Sequence, residues 1–380
     1  MIYLDNNATT PLDPAVLEEM LPFLTTEYGN PSSAYQLGAH SRAAIELARE
    51  RVASLVGCAA GEIVFTSGGT ESNNTAIHSA LQLDPARQHI VTTAVEHSAT
   101  FRYCEQLAER GGAVTFVGVA EDGTLDPDEL EQVIRPETAI ISVQWANNET
   151  GVIFPIERIA EIASRHRVLL HSDAVQAAGK IPIALGTSKI NFLSLSAHKL
   201  HGPKGVGALF VHRRSAFRPL LIGGGQENRR RAGTENVASI VGFGKAAELA
   251  AIGLNAHAAR IQSMRDAFEA GILAQIPSAV VNGTRHTRLP NTTSLAFPGV
   301  DSEAVLILLD RHRICCSAGS ACRAGSTETS HVLRAMNLSE ERQRSTLRFS
   351  FSRFNTETEV TQAISGLSRA VEQLQTLSNG

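Results

Sequence analysis

Short apolar runs separated by helix-length amphipathic stretches recur from residue 62 to residue 211, and this alternation limits the chain to few architectures. The runs are Glu62–Thr66, Ile90–Thr93, Ala113–Val117, Ala139–Val143, Val168–His171, Phe192–Leu195 and Gly207–Val211. Several are apolar throughout, as strands covered on both faces should be. Helix starts are marked between them. Asp13-Pro14 offers an N-cap with proline at the first helical position, ahead of Val16, Leu17, Met20 and Leu21. Asp126-Pro127-Asp128-Glu129 repeats that start with the glutamate of a capping box. The amphipathic stretch from Ala39 to Val56 stops at Gly57, a natural helix terminator. Alternating β and α units imply right-handed crossovers and an α/β fold, a mostly parallel central sheet covered by helices.

At 380 residues the chain exceeds the roughly 250–300 at which a single core stops growing. Two domains are expected: a large α/β domain over 13–253, and a smaller α+β domain built from 1–12 and 254–380. From about Asn255 a long helix precedes strands near Val280, Thr293–Phe297, Ile314–Cys316 and Thr346–Phe351.

The formal net charge of −4 lacks the basic excess of a nucleic-acid binder. Arg229, Arg230 and Arg231 read as a solvated loop. Five cysteines are too few and too unevenly spaced for a secreted disulfide framework. The N-terminus lacks a signal-peptide pattern, and no run approaches the ~20 apolar residues of a membrane span. A cytoplasmic protein with reduced thiols is the expectation.

In open α/β sheets ligands bind beyond the carboxyl ends of the strands. Ser67–Thr70, Glu96-His97, Asn147–Glu149, Asp173–Gln176 and Ser196–Lys199 all directly follow strand candidates. Alone, Lys199 is an ordinary lysine at a strand end and Asp173 a helix cap. Together they suit pyridoxal phosphate (PLP), whose lysine imine needs a desolvated amine and whose ring nitrogen needs an acid. Gln176 could donate to the ring's phenolic oxygen. Ser67-Gly68-Gly69-Thr70, between strand and helix, offers backbone N–H groups to a phosphate. It is neither a P-loop nor a dinucleotide fingerprint. Ser196 and His198 flank the lysine as further donors.

Four segments, Asn147–Gly151, Asp173–Gln176, Ser196–Gly207 and Arg231–Asn236, together resemble the NifS/IscS-like cysteine desulfurases. These are fold-type-I PLP-dependent transferases of the class V aminotransferase group. Tyr3–Thr10, Gly29–Ser33, Gly319–Cys322 and Ser330–Met336 fit as well, so the resemblance spans about residues 2–365. Trp145–Gly151 and Arg230–Asn236 look closer to the nitrogenase-associated branch. The resemblance implies that Lys199 holds PLP as a covalent imine and later removes the substrate's Cα proton. Asp173 would pair with the ring nitrogen, Gln176 would bond the phenolic oxygen, and His97 would stack on the ring and shuttle protons. Gly69, Thr70, Ser196 and His198 would hold the phosphate, with Thr234 reaching in from the second subunit of a homodimer. Asn148 would orient cofactor and substrate, and Arg348 would grip the carboxylate of L-cysteine.

Cys322, in the loop Ser317–Ser326, would take the sulfur as a persulfide, leaving alanine. It would pass the sulfur to an iron–sulfur scaffold or another acceptor protein, and the family makes it a transient iron–sulfur ligand. Two residues depart from the pattern. Arg323 follows the nucleophile where a small residue is usual; it reads either as a charge that lowers the Cys322 pKa or as an arginine facing solvent. Arg229 stands where glycine is usual. Cys315 and Cys316 read as small packed hydrophobes. Rival readings are another PLP reaction such as transamination, a non-enzymatic assembly scaffold, and a dinucleotide-binding dehydrogenase.

Overall fold

The seven apolar runs become seven strands of one sheet in the computed structural model, which describes residues 1–318 and 329–378. After a short N-terminal strand β1 (Ile2–Tyr3), they are β2 (Ile63–Thr66), β3 (His89–Thr93), β4 (Val114–Val117), β5 (Thr138–Ser142), β6 (Leu169–Asp173), β7 (Phe192–Ser196) and β8 (Gly207–Val211). Their order across the sheet is β2-β8-β7-β6-β5-β3-β4. The steps from β7 through β6, β5 and β3 to β4 are all parallel. β8 is the exception, antiparallel to both β7 and β2. The connection between β7 and β8 contains only the 3-10 turn Ala197–Lys199, whereas a parallel crossover needs a dozen or more residues and usually a helix. Because β8 is reversed between them, β2 and β7 point the same way, and β2 ends at the same edge as the parallel strands.

Alternate residues of these strands feed two cores. Ile63, Phe65, Ile141, Leu193 and Phe210 pack with α1 (Pro14–Thr25) and α2 (Gln36–Val56). Val64, Ile90, Ile140, Phe192 and Leu209 pack with α3 (Gly69–Leu81) and α4 (Ser98–Glu109). Both faces of the inner strands are therefore buried, and only the edge strand β4 is half-buried. The helix starts form as their chemistry suggests. Asp13 accepts from Ala15 N–H at 2.9 Å, and α2 ends on Gly57 at φ 66°, a left-handed cap that glycine takes without steric cost. At α5 (Pro127–Gln132) the outcome differs: Asp126 accepts from Asp128 N–H at 2.8 Å, one residue short of the capping-box partner. α6 (Ile156–His166), the distorted turn α7 (Gln226–Arg229) and α8 (Val237–Gln275) follow.

A second sheet is antiparallel. It joins β9 (Val280–Asn282), β10 (Thr292–Ala296), β12 (Ser317–Ala318) and β13 (Thr346–Ser350) in the order β12-β13-β10-β9, while β1 pairs in parallel with β11 (Ile314–Cys315). Ile2 and Leu4 pack here with Phe268, Leu295, Phe349 and Phe351. α8 runs unbroken past residue 253, giving Phe243 to the first core and Phe268 to the second. By length and composition it could cross a membrane (mean hydropathy 1.5), but half of that apolar window is buried inside the protein.

Candidate active site

The strand ends converge on a cavity of about 440 Å³. Asp173 closes β6, Ser196 closes β7, and His198 and Lys199 follow on the 3-10 turn. His97 caps α4 just after β3, and Gly69 and Thr70 open α3 just after β2. Asn148 and Glu149 come from the loop after β5, and Arg348 from β13 of the second sheet. All of these line the cavity, as does Gln176.

The acid is fixed by two donors. Asn73 Nδ2–H donates to Asp173 Oδ2 at 2.6 Å, and Val175 N–H to Oδ1 at 2.9 Å. Lys199 Nζ donates to Asn7 O at 2.5 Å and Ala8 O at 2.7 Å, so the N-terminal segment reaches across to the lysine. His97 Nδ1 accepts from Ala99 N–H at 3.1 Å, which leaves the ring proton on Nε2. Burial lowers the His97 pKa, the Asp173 carboxylate opposes that, and Lys199 and Arg348 add to it. Burial followed by the Lys199 charge brings His198 down to about 4. Both imidazoles are therefore neutral at physiological pH. Arg348, 1% exposed, donates Nη1–H to Asn148 O at 3.0 Å and Nη2–H to Asp5 Oδ1 at 2.8 Å. Its buried Nε–H has no partner among the described residues.

The turn that opens α3 is cut to fit an anion. Gly68 sits at φ 154°, and a Cβ on Gly69 would come within 2.8 Å of Val175 Cγ2. Gly69 opens the helix on the cavity wall, whereas the Gly68 N–H is donated to Thr66 Oγ1 at 3.4 Å. Arg231 ties the segment after α7 to the first turn of α3, donating Nε–H to Glu71 Oε1 at 2.9 Å. Thr234, three residues on, is exposed and is not part of this cavity wall.

Sequence reasoning missed several groups here. Asn73 falls three residues after Thr70 on the inner face of α3, where a polar residue reads as ordinary. Asn7 belongs to the Tyr3–Thr10 motif, from which it takes no role of its own. Its carbonyl receives Lys199, and its Nδ2–H donates to Asn148 O at 3.0 Å. Glu149 is 2% exposed and accepts Ser330 Oγ–H at 2.6 Å; burial raises its pKa. An apolar wall is added by Phe101 and His331, with ring centroids 4.6 Å apart.

Cys322, Arg323 and the rest of 319–328 lie outside the described residues. Both flanks of that segment border the site: Ser317 pairs with Arg348, and Thr329 lines the cavity. Cys316 contacts the second core, and burial raises its pKa. Among the described residues no group of three or more His, Cys, Asp or Glu is placed to hold a metal.

A lysine, a doubly anchored carboxylate, a neutral imidazole and an anion cradle in one cavity describe a site for a phosphorylated pyridine aldehyde. The aminotransferase class-V family model matches residues 2–363, and the chain belongs to that family of pyridoxal-phosphate enzymes. Within it, the chain is 49% identical over 378 residues to a cysteine desulfurase of Nostoc sp., covering 100% of this chain and 94% of the relative. It is 47% identical over 378 residues to the cysteine desulfurase NifS of Azotobacter vinelandii, covering 99% and 94%. A solved NifS-like protein superposes with a TM-score of 0.92 at 36% identity, covering 98% of this chain and 99% of that one.

Proposed function

We propose that the chain is a cysteine desulfurase, converting L-cysteine to L-alanine while its sulfur passes through Cys322 to an acceptor. The observation that carries this reading is the convergence of Lys199, Asp173, His97, the Gly69–Thr70 cradle and Arg348, from separate elements, on one cavity.

The residues present fit pyridoxal phosphate. Gly69, Thr70, Ser196 and His198 would hold its phosphate, Lys199 its aldehyde carbon, Asp173 its ring nitrogen and Gln176 its phenolic oxygen. Bound there, the protonated ring supplies an electron sink for charge developing at the substrate's Cα. Asp173, pinned by Asn73 and by Val175 N–H, would pair with the ring nitrogen. Arg348 grips the substrate carboxylate, and Asn148, whose carbonyl Arg348 already holds, orients the bound pair. Lys199 Nζ takes the Cα proton and returns it. His97 would cover the ring, and its Nε2 can give or take a proton. The Cys322 thiolate attacks the substrate sulfur: an S–S bond forms as the C–S bond breaks. The electron pair of that bond stays with the three-carbon fragment, which takes up protons and leaves as alanine. A thiol or acceptor protein then collects the sulfur from Cys322.

The same reading makes 13–253 the cofactor domain, with 1–12 and 254–380 the small domain that carries Cys322. A homodimer would bring Thr234 to the partner's phosphate, and an iron–sulfur scaffold is the expected acceptor, with Cys322 a transient cluster ligand. The cytoplasm is where a catalytic thiol stays reduced. The test is alanine and sulfide release from L-cysteine with excess thiol. Equal amounts from wild type and neither from Cys322→Ala support the reading; equal sulfide from both would remove Cys322 from it.

A further inference from the structure

Lys180 is a half-buried amine with no part in the steps above. Its Nζ donates to Gln176 Oε1 at 2.6 Å. Gln176 in turn donates Nε2–H to Asn7 O at 3.0 Å, the same carbonyl that receives Lys199 at 2.5 Å. A carboxamide has a donor end and an acceptor end of nearly the same shape, so only its neighbours decide which way it faces. Here one neighbour is an amine donor and the other a carbonyl, which only accepts. One orientation satisfies both. The second hydrogen on Gln176 Nε2 makes no bond among the described residues, and Gln176 lines the cavity.

We infer that Lys180 is a positioning residue: it holds the Gln176 carboxamide by its oxygen, so that the cofactor's phenolic oxygen meets an N–H donor and not a carbonyl. The inference rests on the proposed contact between Gln176 and that oxygen. Burial, then the charges of Lys199 and Arg348, bring the Lys180 pKa well below the usual lysine range. Even a neutral amine keeps N–H groups for Gln176 Oε1, so the arrangement does not need a full charge beside Lys199.

The orientation has a spectroscopic consequence. The phenolic oxygen shares a proton with the nitrogen that joins the cofactor to Lys199. A donor on that oxygen draws off its negative charge and loosens the proton; a carbonyl in its place leaves the proton held more tightly. The readout is the visible absorption of the cofactor-loaded enzyme, titrated against pH without substrate. Gln176→Ala and Lys180→Met should each raise the apparent pKa by about one pH unit, tenfold in proton affinity. The double variant should move it no further than Gln176→Ala alone. Lys180→Gln, which offers a neutral amide N–H, should return it most of the way to wild type.

Additive shifts in the double variant, or a wild-type profile in Lys180→Met beside a shifted Gln176→Ala, would overturn the inference. If Gln176→Ala itself leaves the profile in place, the Gln176 contact is what fails, and the role of Lys180 falls with it. Should Lys180→Met not fold, Lys180→Gln decides: a near-wild-type profile supports the inference, and one matching Gln176→Ala contradicts it.

Discussion

Glu96 gives the stability of this fold one strong dependence on pH. Its side chain is fully buried beside the site, accepting Gln144 N–H on both oxygens at 3.0 Å and Thr93 Oγ1–H at 2.7 Å. Burial outweighs these bonds, and the Asp173 charge adds to it, pushing the carboxyl from 4.5 up to about 8. Between those two values the folded chain keeps a proton that the unfolded chain has released. Raising the pH through that window therefore withdraws stability. At about 1.4 kcal/mol per pH unit the loss reaches about 5 kcal/mol by pH 8, and nothing more is lost above it. Glu96→Gln is neutral throughout, so the penalty disappears. Urea unfolding of variant and wild type across this range should give a free-energy difference that moves in the variant's favour with rising pH, by up to about 5 kcal/mol, then levels off. A difference that stays flat, or runs the other way, refutes the reasoning.

Two further outcomes follow from the segment around α7. The buried pair of Arg49 and Glu227 is bidentate at 2.7 and 2.8 Å, and Glu227 also accepts Phe65 N–H at 2.9 Å. Glu227→Gln leaves the buried Arg49 only the exposed Glu46 as a charged partner, at 3.3 Å, and should cost up to about 3–5 kcal/mol in denaturant unfolding, part of which Arg49→Leu in the same chain should restore. Arg229 sits at φ 63°, in the left-handed region. Arg229→Gly should stabilise by about 0.5–1 kcal/mol, the relief of that backbone less the added chain entropy, read as a higher melting temperature.

The strands were legible because strands buried on both faces are mostly apolar; the seven expected runs agree with β2 to β8 to within one or two residues at each end. The reversal of β8 was not read, although the helix-free stretch between β7 and β8 carries it. Lys199, Asp173 and His97 could be singled out because each follows a strand candidate. Arg348 had no such signal, being an arginine on a strand of the other sheet, and entered only through family resemblance. Asn73 and Asn7 stayed hidden for a related reason. Asn73 lies 100 residues from Asp173, and Asn7 lies 192 from Lys199, and contacts at such separations leave no local pattern. Glu227 is a similar case. Its partner Arg49 is 178 residues away, and its backbone takes φ 48°, which composition does not announce.

The account's central claim is that Cys322 receives the sulfur. The direct measurement is mass spectrometry of the Cys322 peptide after cofactor-loaded enzyme has met L-cysteine without reductant. The account predicts the mass of one added sulfur atom on that peptide, placed by fragmentation on Cys322 and not on Cys315 or Cys316, absent from the peptides bearing Cys58 and Cys104, and absent from Lys199→Ala enzyme. Alanine formed while the Cys322 peptide keeps its original mass would contradict it.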